Sequence, residues 1–294
     1  MNFFNIVILG VGKMAKDCAA ILLENGMRLH AVHETEKNEF SPLPGFCSRV
    51  KIAFQQPTAN ELTTYLSSLS EPTILFSINN NYLFPQSIVK KENLRIINFH
   101  NSLLPRYRGH GRVIPVWVIF NGESHHGVTW HLVDENTDTG NILCQRKFKV
   151  SNDDTALNIM MKAIGLGTKL FSECWKEFIN PENKGHPQKR TSERVYGLKD
   201  IPNDGYLDIS WDFDMMARFL RCLDYEPFSL FPLPQAKIGG KLYQIKKYQI
   251  IPKRSQGLKN KIQYKNDLNN EKEIDFVFPE GIIKLQVKER PRNG

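Results

Sequence analysis

The 294-residue sequence has no apolar run near the roughly 18 residues that a membrane-spanning helix needs. Its opening residues, Met1-Asn2-Phe3-Phe4-Asn5, carry neither a basic segment nor a small-residue cleavage site, so no leader and a cytoplasmic setting are expected. Cysteine is sparse and unpatterned. The five residues, at 18, 47, 144, 174 and 222, are odd in number and include no C-x-x-C pair. That argues against a disulfide framework and against a thiolate metal site, and it suits a reducing compartment. No internal repeat is visible. With 41% hydrophobic and 24% charged residues the chain can bury a sizeable core, so disorder is not expected.

What is present begins with charge. The formal net charge is +8, which favours anionic partners such as nucleotide phosphates or RNA. Part of the excess lies in a Lys/Asn-rich stretch at residues 253–272, read as a solvated loop because charge runs usually are.

Apolar strand candidates at residues 5–10, 29–33, 73–77 and 94–99 alternate with helical patterns at 14–23 and 60–69. Further strands are expected at 127–133 and 142–150, a helix near 113–120, and a long closing helix at 155–178. The alternation implies a Rossmann-like α/β domain with a mostly parallel sheet covered on both faces. Residues 1–178 are assigned to it, and 179–205, rich in breakers and charge, to a linker. Residues 206–294 read as a helix at 213–223 and short strands at 236–238, 242–251, 261–264, 274–278 and 282–287. That pattern suggests a small β-rich, barrel-like (OB-like) domain.

Gly10-x-Gly12-x-x-Ala15 follows a strand and opens a helix, with Glu34 and Glu36 just beyond the second strand. A dinucleotide fingerprint has this form, so an NAD-dependent dehydrogenase is a competing reading. The motif is weak by itself, because any tight strand-to-helix turn favours glycine.

A richer segment follows the strand at 94–99: Asn98-Phe99-His100-Asn101-Ser102-Leu103-Leu104-Pro105. Ligands bind at the carboxyl ends of parallel strands, and residues two apart on a strand share a face, which groups Asn98 with His100. Further on, His126-Gly127-Val128-Thr129-Trp130-His131 leads through Asp134 to Thr137-Asp138-Thr139-Gly140. Acyl transfer to an amine needs an oxyanion donor, a base and a group to orient the base; an amide, an imidazole and a carboxylate can supply them. Taken singly, each has a bland alternative: Asn98 in a turn, His100 in the core, Asp138 in an Asp-Thr-Gly turn.

Asn98-x-His100-x-Ser102-Leu103-Leu104-Pro105, followed in order by Gly-Val-Thr and Asp138-Thr-Gly, resembles the folate-dependent formyltransferases, strongly over residues 70–178. The resemblance implies N10-formyltetrahydrofolate as formyl donor, with Asn98, His100 and Asp138 catalytic. It implies a folate pocket lined by Tyr82, Leu83, Phe84, Ser102, Leu103, Leu104, Pro105 and Asp134, and no metal. His125, His126 and His131 are expected to be structural or at the surface. For the acceptor, a small primary amine is expected, on an amino sugar nucleotide or a substrate of the peptide-synthetase type. The stretch at 34–42 is acidic where methionyl-tRNA formyltransferases carry a basic insertion, which disfavours tRNA. A related hydrolase, passing the formyl group to water, is the other alternative within the family.

Overall fold

The computed structural model describes residues 5–36, 39–189, 194–253, 260–268 and 271–290. Expectations that fall on residues 1–4, 37–38, 190–193, 254–259, 269–270 and 291–294 lie outside them. The chain divides into two compact units. The first comprises Met1–Ile114, His125–Lys149 and Met160–Gly197, and the second Pro115–Ser124, Val150–Ile159 and Leu198–Gly294.

The first unit runs β1 (Asn5–Gly10), α1 (Gly12–Glu24), β2 (Leu29–His33), α2 (Leu43–Val50), β3 (Ala53–Gln55), α3 (Ala59–Ser68), β4 (Thr73–Ile78), α4 (Gln86–Val89) and β5 (Leu94–His100). After it come β6 (Arg108–Gly109), β7 (His125–Leu132), β8 (Ile142–Lys149), most of α6 (Ala156–Ile179) and β9 (Val195–Tyr196); α5 (Ile114–Phe120), between β6 and β7, belongs to the second unit but for Ile114. Seven strands form one sheet in the order β3-β2-β1-β4-β5-β7-β8. The β3-to-β5 part is parallel, whereas β7 and β8 join antiparallel. The mostly parallel sheet expected from the alternating pattern is therefore present. Short α2 and β3 escape a periodicity reading because Pro44 and Gly45 interrupt the helical pattern and three residues are too few to alternate.

Each face of the sheet has its own core. On one, Ile6, Ile8, Phe76, Ile97, Phe99 and Trp130 pack with α1 and α6. Here Phe76, Trp130, Phe171 and Phe178 meet edge-on or tilted, with centroids 5.1–6.4 Å apart, the arrangement aromatic quadrupoles favour. Gly167 of α6 lets the helix approach closely, and its carbonyl accepts the Trp130 Nε1–H at 3.1 Å. On the other face, Val7, Leu9, Leu75, Leu94 and Ile96 pack with Leu62 and Leu66 of α3. A capping box starts α3, the Thr58 side chain and Glu61 satisfying each other's backbone N–H.

The second unit holds β10 (Tyr206–Leu207), α7 (Phe213–Cys222), β11 (Gln235–Ile238), β12 (Lys241–Pro252), β13 (Lys261–Leu268), β14 (Glu271–Phe278) and β15 (Gly281–Glu289). Its sheet order is β10-β11-β12-β15-β14-β13, antiparallel except between β10 and β11. The Asp212 side chain caps α7 by accepting from the Met215 N–H at 2.8 Å, and Phe213 meets Phe278 edge-on. Within the basic stretch read as a solvated loop, the strand expected at 261–264 is present and extends as edge strand β13 from Lys261 to Leu268.

Gly167→Ala tests the close approach of α6. The added methyl would sit 2.2 Å from Phe99 Cε2 and 2.8 Å from Met14 Cε. Alanine is the better helix former by about 1 kcal/mol, yet overpacking by about 1–3 kcal/mol should win. A lower urea midpoint at unchanged slope is expected; a higher midpoint would refute the packing.

Candidate functional site

The two cores explain where the polar residues go. On β5, Ile97 and Phe99 face the α1/α6 side, while Leu94 and Ile96 face α3. Asn98 and His100 continue the Leu94–Ile96 face past the end of its apolar packing. Sheet register then assembles a row. Asn98 lies opposite Ser77 of parallel β4 and opposite His131 of antiparallel β7.

Asn98 Oδ1 accepts from Ser77 Oγ at 2.7 Å, and its Nδ2 lies 3.1 Å from His131 Nε2. His131 Nδ1 is 2.8 Å from the Leu132 carbonyl, which can only accept, so the proton is on Nδ1 and Nε2 accepts from Asn98. His100 is nearly fully buried and makes the mirror choice: Nε2 donates to the Tyr107 carbonyl at 2.8 Å. Its Nδ1 is then the free lone pair, 3.5 Å from Asp138 Oδ2. The other Asp138 oxygen lies 3.5 Å from His131 Nε2. One carboxylate thus spans two imidazoles, and it also accepts the Gly109 N–H at 2.8 Å.

Electrostatics follow from this. Burial would raise the Asp138 pKa, but the charge that His100 and His131 carry when protonated, with the Gly109 N–H, outweighs it and holds the carboxyl well below its usual range. Burial lowers the His100 pKa, only partly offset by Asp138. At neutral pH the pair is a carboxylate beside a neutral imidazole, ready to receive one proton at Nδ1.

Two loops hold Asp138 in place. It sits in left-handed backbone at φ 54°. Gly140 behind it admits no side chain, since a Cβ there would lie 1.8 Å from the Leu132 carbonyl oxygen. Gln188 Nε2 donates to the carbonyls of Asp138 and Gly140 at 3.0 and 2.7 Å. Gly109 touches the backbone of Tyr196, where β6 pairs with β9. The described residues 180–189 and 194–197, expected as part of a linker, thus bond into the first unit, and nothing in their composition announced Gln188.

The residues expected in the folate pocket are placed as follows. Tyr82 and Phe84 pack edge-on, centroids 5.1 Å apart, against the α3-side core. Tyr82 Oη bonds Thr63 Oγ1 at 2.7 Å. Leu83 between them is 81% exposed, an apolar side chain left uncovered beside the site. Ser102 is buried, and its Oγ donates to the Arg106 carbonyl. Leu104, which precedes a cis bond to Pro105, donates its N–H to Thr129 Oγ1. The Leu103 side chain fills the space over Gly127. Asp134 Oδ1 accepts from Thr139 Oγ1 and the Asn136 N–H within its own loop.

The expectation for the other histidines needs one correction. His125 is exposed and His126 is a core residue bonded to Asn101, but His131 belongs to the polar cluster. Its signal was the antiparallel register of β7 against β5, invisible until the strands are paired.

The glycine motif has a structural explanation. Gly12 is left-handed at φ 73°, and a Cβ on Gly10 would lie 2.7 Å from the Ala15 Cβ. Glu34 is buried and accepts from the Gly12 N–H, Ser41 Oγ and Gln56 Nε2 at 3.3, 2.8 and 3.2 Å. The acid that would bind a ribose therefore caps α1 itself. Glu36 pairs with Arg112 at 2.6 Å and accepts from Asn81. Two of the acids in the 34–42 stretch are thus satisfied internally, which weakens the electrostatic argument against tRNA.

Residues 51–174 match the formyl transferase family. The chain is 29% identical to a GDP-perosamine N-formyltransferase of Brucella melitensis over 86% of this chain and 96% of that protein. It is 30% identical to a methionyl-tRNA formyltransferase of Caldanaerobacter subterraneus over 65% and 64%. Among solved structures, the sugar 3N-formyltransferase WlaRD aligns over 98% of both chains at 22% identity and a TM-score of 0.74. The N-formyltransferase from Helicobacter canadensis, solved with folinic acid and dTDP-3-aminofucose, aligns over 96% of this chain and 98% of that one, at 20% identity and a TM-score of 0.74.

His126 carries a pH signature. Burial, reinforced by His100, lowers its pKa from 6.5 to about 3. Between those values the unfolded chain binds a proton that the folded one refuses, so stability is lost as pH falls through that window. Melting temperature should decline from pH 6.5 towards 4, and less steeply in His126→Gln. Equal slopes would show that this ring is not held neutral.

Proposed function

We propose that this chain, whose residues 51–174 match the formyl transferase family, is a folate-dependent formyltransferase that moves the formyl group of N10-formyltetrahydrofolate to the primary amine of a nucleotide-linked amino sugar. The observation that carries the chemistry is the convergence of the Asn98 amide, the His100 imidazole and the Asp138 carboxylate at the carboxyl end of β5.

The acceptor amine attacks the formyl carbon, and negative charge develops on the formyl oxygen. One Asn98 Nδ2 hydrogen is engaged by His131; the other is available to that oxygen, and such donors act because they point at charge that appears only in the transition state. The attacking nitrogen becomes positive and must lose a proton. His100 accepts it at Nδ1, directly or across the Asp138 carboxylate, which balances the imidazolium. When the bond between N10 and the formyl carbon breaks, the same proton passes to N10. An N-formyl amine and tetrahydrofolate result, with no net proton change. The donor's pterin fits the apolar surface offered by Tyr82, Leu83 and Phe84, with Leu103, Leu104, Pro105 and the Asp134 loop forming its other side and Ser102 acting through loop shape. All of these chemical steps fall to side chains, and none calls for a metal.

The choice of acceptor is supported by coverage. Likeness to the GDP-perosamine enzyme spans 96% of that protein, while likeness to the tRNA enzyme stops at 64% of it. A small amine also suits a site whose Glu36 and Arg112 are occupied with each other.

Release of 5,8-dideazafolate from its N10-formyl derivative, followed by absorbance, tests the reading. The amine panel is GDP-perosamine, dTDP-3-aminofucose, methionyl-tRNA and ornithine. A nucleotide-linked amino sugar should accelerate release most. Fastest release with methionyl-tRNA would replace the acceptor, and release without amine would make the protein a hydrolase. Asn98→Ala should lower kcat about 10²–10³-fold, or about 2.7–4 kcal/mol. With His100 held below 6.5, the rate should be flat above that pH and fall only in more acid buffer, as the base takes up a proton.

A further inference from the structure

We infer that Ser77 and Asn80 are positioning residues that orient and polarise the Asn98 amide through a directed chain of hydrogen bonds fixed at both ends. The inference rests on the reading of Asn98 as oxyanion donor.

Every direction in the chain follows from groups that cannot switch. At one end, the Tyr82 backbone N–H can only donate, and it donates to Asn80 Oδ1 at 2.9 Å. The Asn80 amide is thereby oriented, and its Nδ2 donates to Ser77 Oγ at 2.6 Å. With that lone pair occupied, the Ser77 hydroxyl turns its hydrogen to Asn98 Oδ1 at 2.7 Å. At the other end, the Leu132 carbonyl can only accept, which places a proton on His131 Nδ1; in the neutral ring Nε2 is then bare towards Asn98. A flipped Asn98 would set its oxygen against that bare nitrogen. Both ends therefore select the same amide orientation, with Nδ2 towards the reaction side.

The chain also affects strength. A donor on the amide oxygen and an acceptor on one N–H draw the amide towards its charge-separated resonance form. Hydrogen bonds in series reinforce one another in this way, and more so out of water. Ser77 is nearly fully buried. The remaining Nδ2 hydrogen becomes a better donor for the formyl oxygen and is held still, which is the preorganisation that oxyanion stabilisation needs. The three consecutive asparagines now have separate tasks. Asn79 takes the left-handed turn at φ 51°, Asn80 directs Ser77, and Asn81 bonds Glu36.

The test reads the carbonyl itself and needs no acceptor. Isotope-edited infrared difference spectra would follow the carbonyl stretch of bound N10-[13C]formyl-5,8-dideazafolate, with its Kd from tryptophan quenching. Wild type should lower the stretch relative to free donor, and Asn98→Ala should abolish the displacement. Asn80→Asp keeps an acceptor for the Tyr82 N–H but loses the donor to Ser77, so the hydroxyl turns away from Asn98. Asn80→Asp and Ser77→Ala should each lose about half the displacement or more while Kd changes less than about threefold. Ser77→Cys, a weaker donor of similar shape, should fall between Ser77→Ala and wild type. If Asn98→Ala removes the displacement while Ser77→Ala and Asn80→Asp keep it, the relay is wrong and the oxyanion reading stands. If Asn98→Ala keeps it, the reading of Asn98 fails and the relay with it. Should Ser77→Ala melt early, Asn80→Asp, which changes no volume, decides alone.

Discussion

The register of β4, β5 and β7 is the constraint on which the site depends. Ser77, Asn98 and His131 are side by side because those strands pair Ser77 with Asn98 and Asn98 with His131. Directly opposed residues in a sheet bring their side chains within reach of one another. A slip of one residue would turn Asn98 into the aromatic core and Phe99 out into the site. The core prevents it. Phe76, Phe99 and Trp130 alternate with the polar row on the same three strands, and their interlocking with α6 admits one register. Stability and chemistry are thus two faces of the same strands.

Loops complete what the sheet begins, and glycine makes their close approach possible. Asp138 reaches both histidines because Gly140 lies against the Leu132 carbonyl and Gly109 against Tyr196, with Gln188 bonding the Asp138 carbonyl from outside the loop. The carboxylate is held charged although burial opposes it, because the Gly109 N–H donates to it and it balances a proton taken up by either flanking imidazole. His100 has one compensating charge against deep burial and stays neutral. Both groups are shifted downwards, which leaves one charged and the other neutral, so a migrating proton has a single place to go.

The N-terminal glycine turn shows how one local pattern serves two purposes. Strand, glycine turn, helix and a following acid would suit a dinucleotide, yet here the acid turns inward. Glu34 accepts three hydrogen bonds and one of them caps α1. The helix N-terminus that could receive a phosphate already holds a carboxylate of the chain, for the same electrostatic reason. Only the side-chain direction of Glu34 separates the two outcomes.

The sequence by itself determined the α/β first unit, the β-rich second unit, and the grouping of Asn98 with His100. These rest on periodicity within one strand or helix, or on a spacing of two residues, which a linear pattern records. Helix 155–178 and strand 94–99 were therefore legible to within a residue or two, and so was the ordered series of motifs ending at Asp138-Thr-Gly. His131 was not legible as part of the cluster, nor Ser77, Asn80 or Gln188. Each of these acts through a partner between 3 and 50 residues away, across strand pairings or loop contacts. Which of two equally polar side chains turns towards the site, and which way an amide points, is decided by register, burial and the fixed donors and acceptors at the ends of a chain of bonds. Those come into being only when the strands meet.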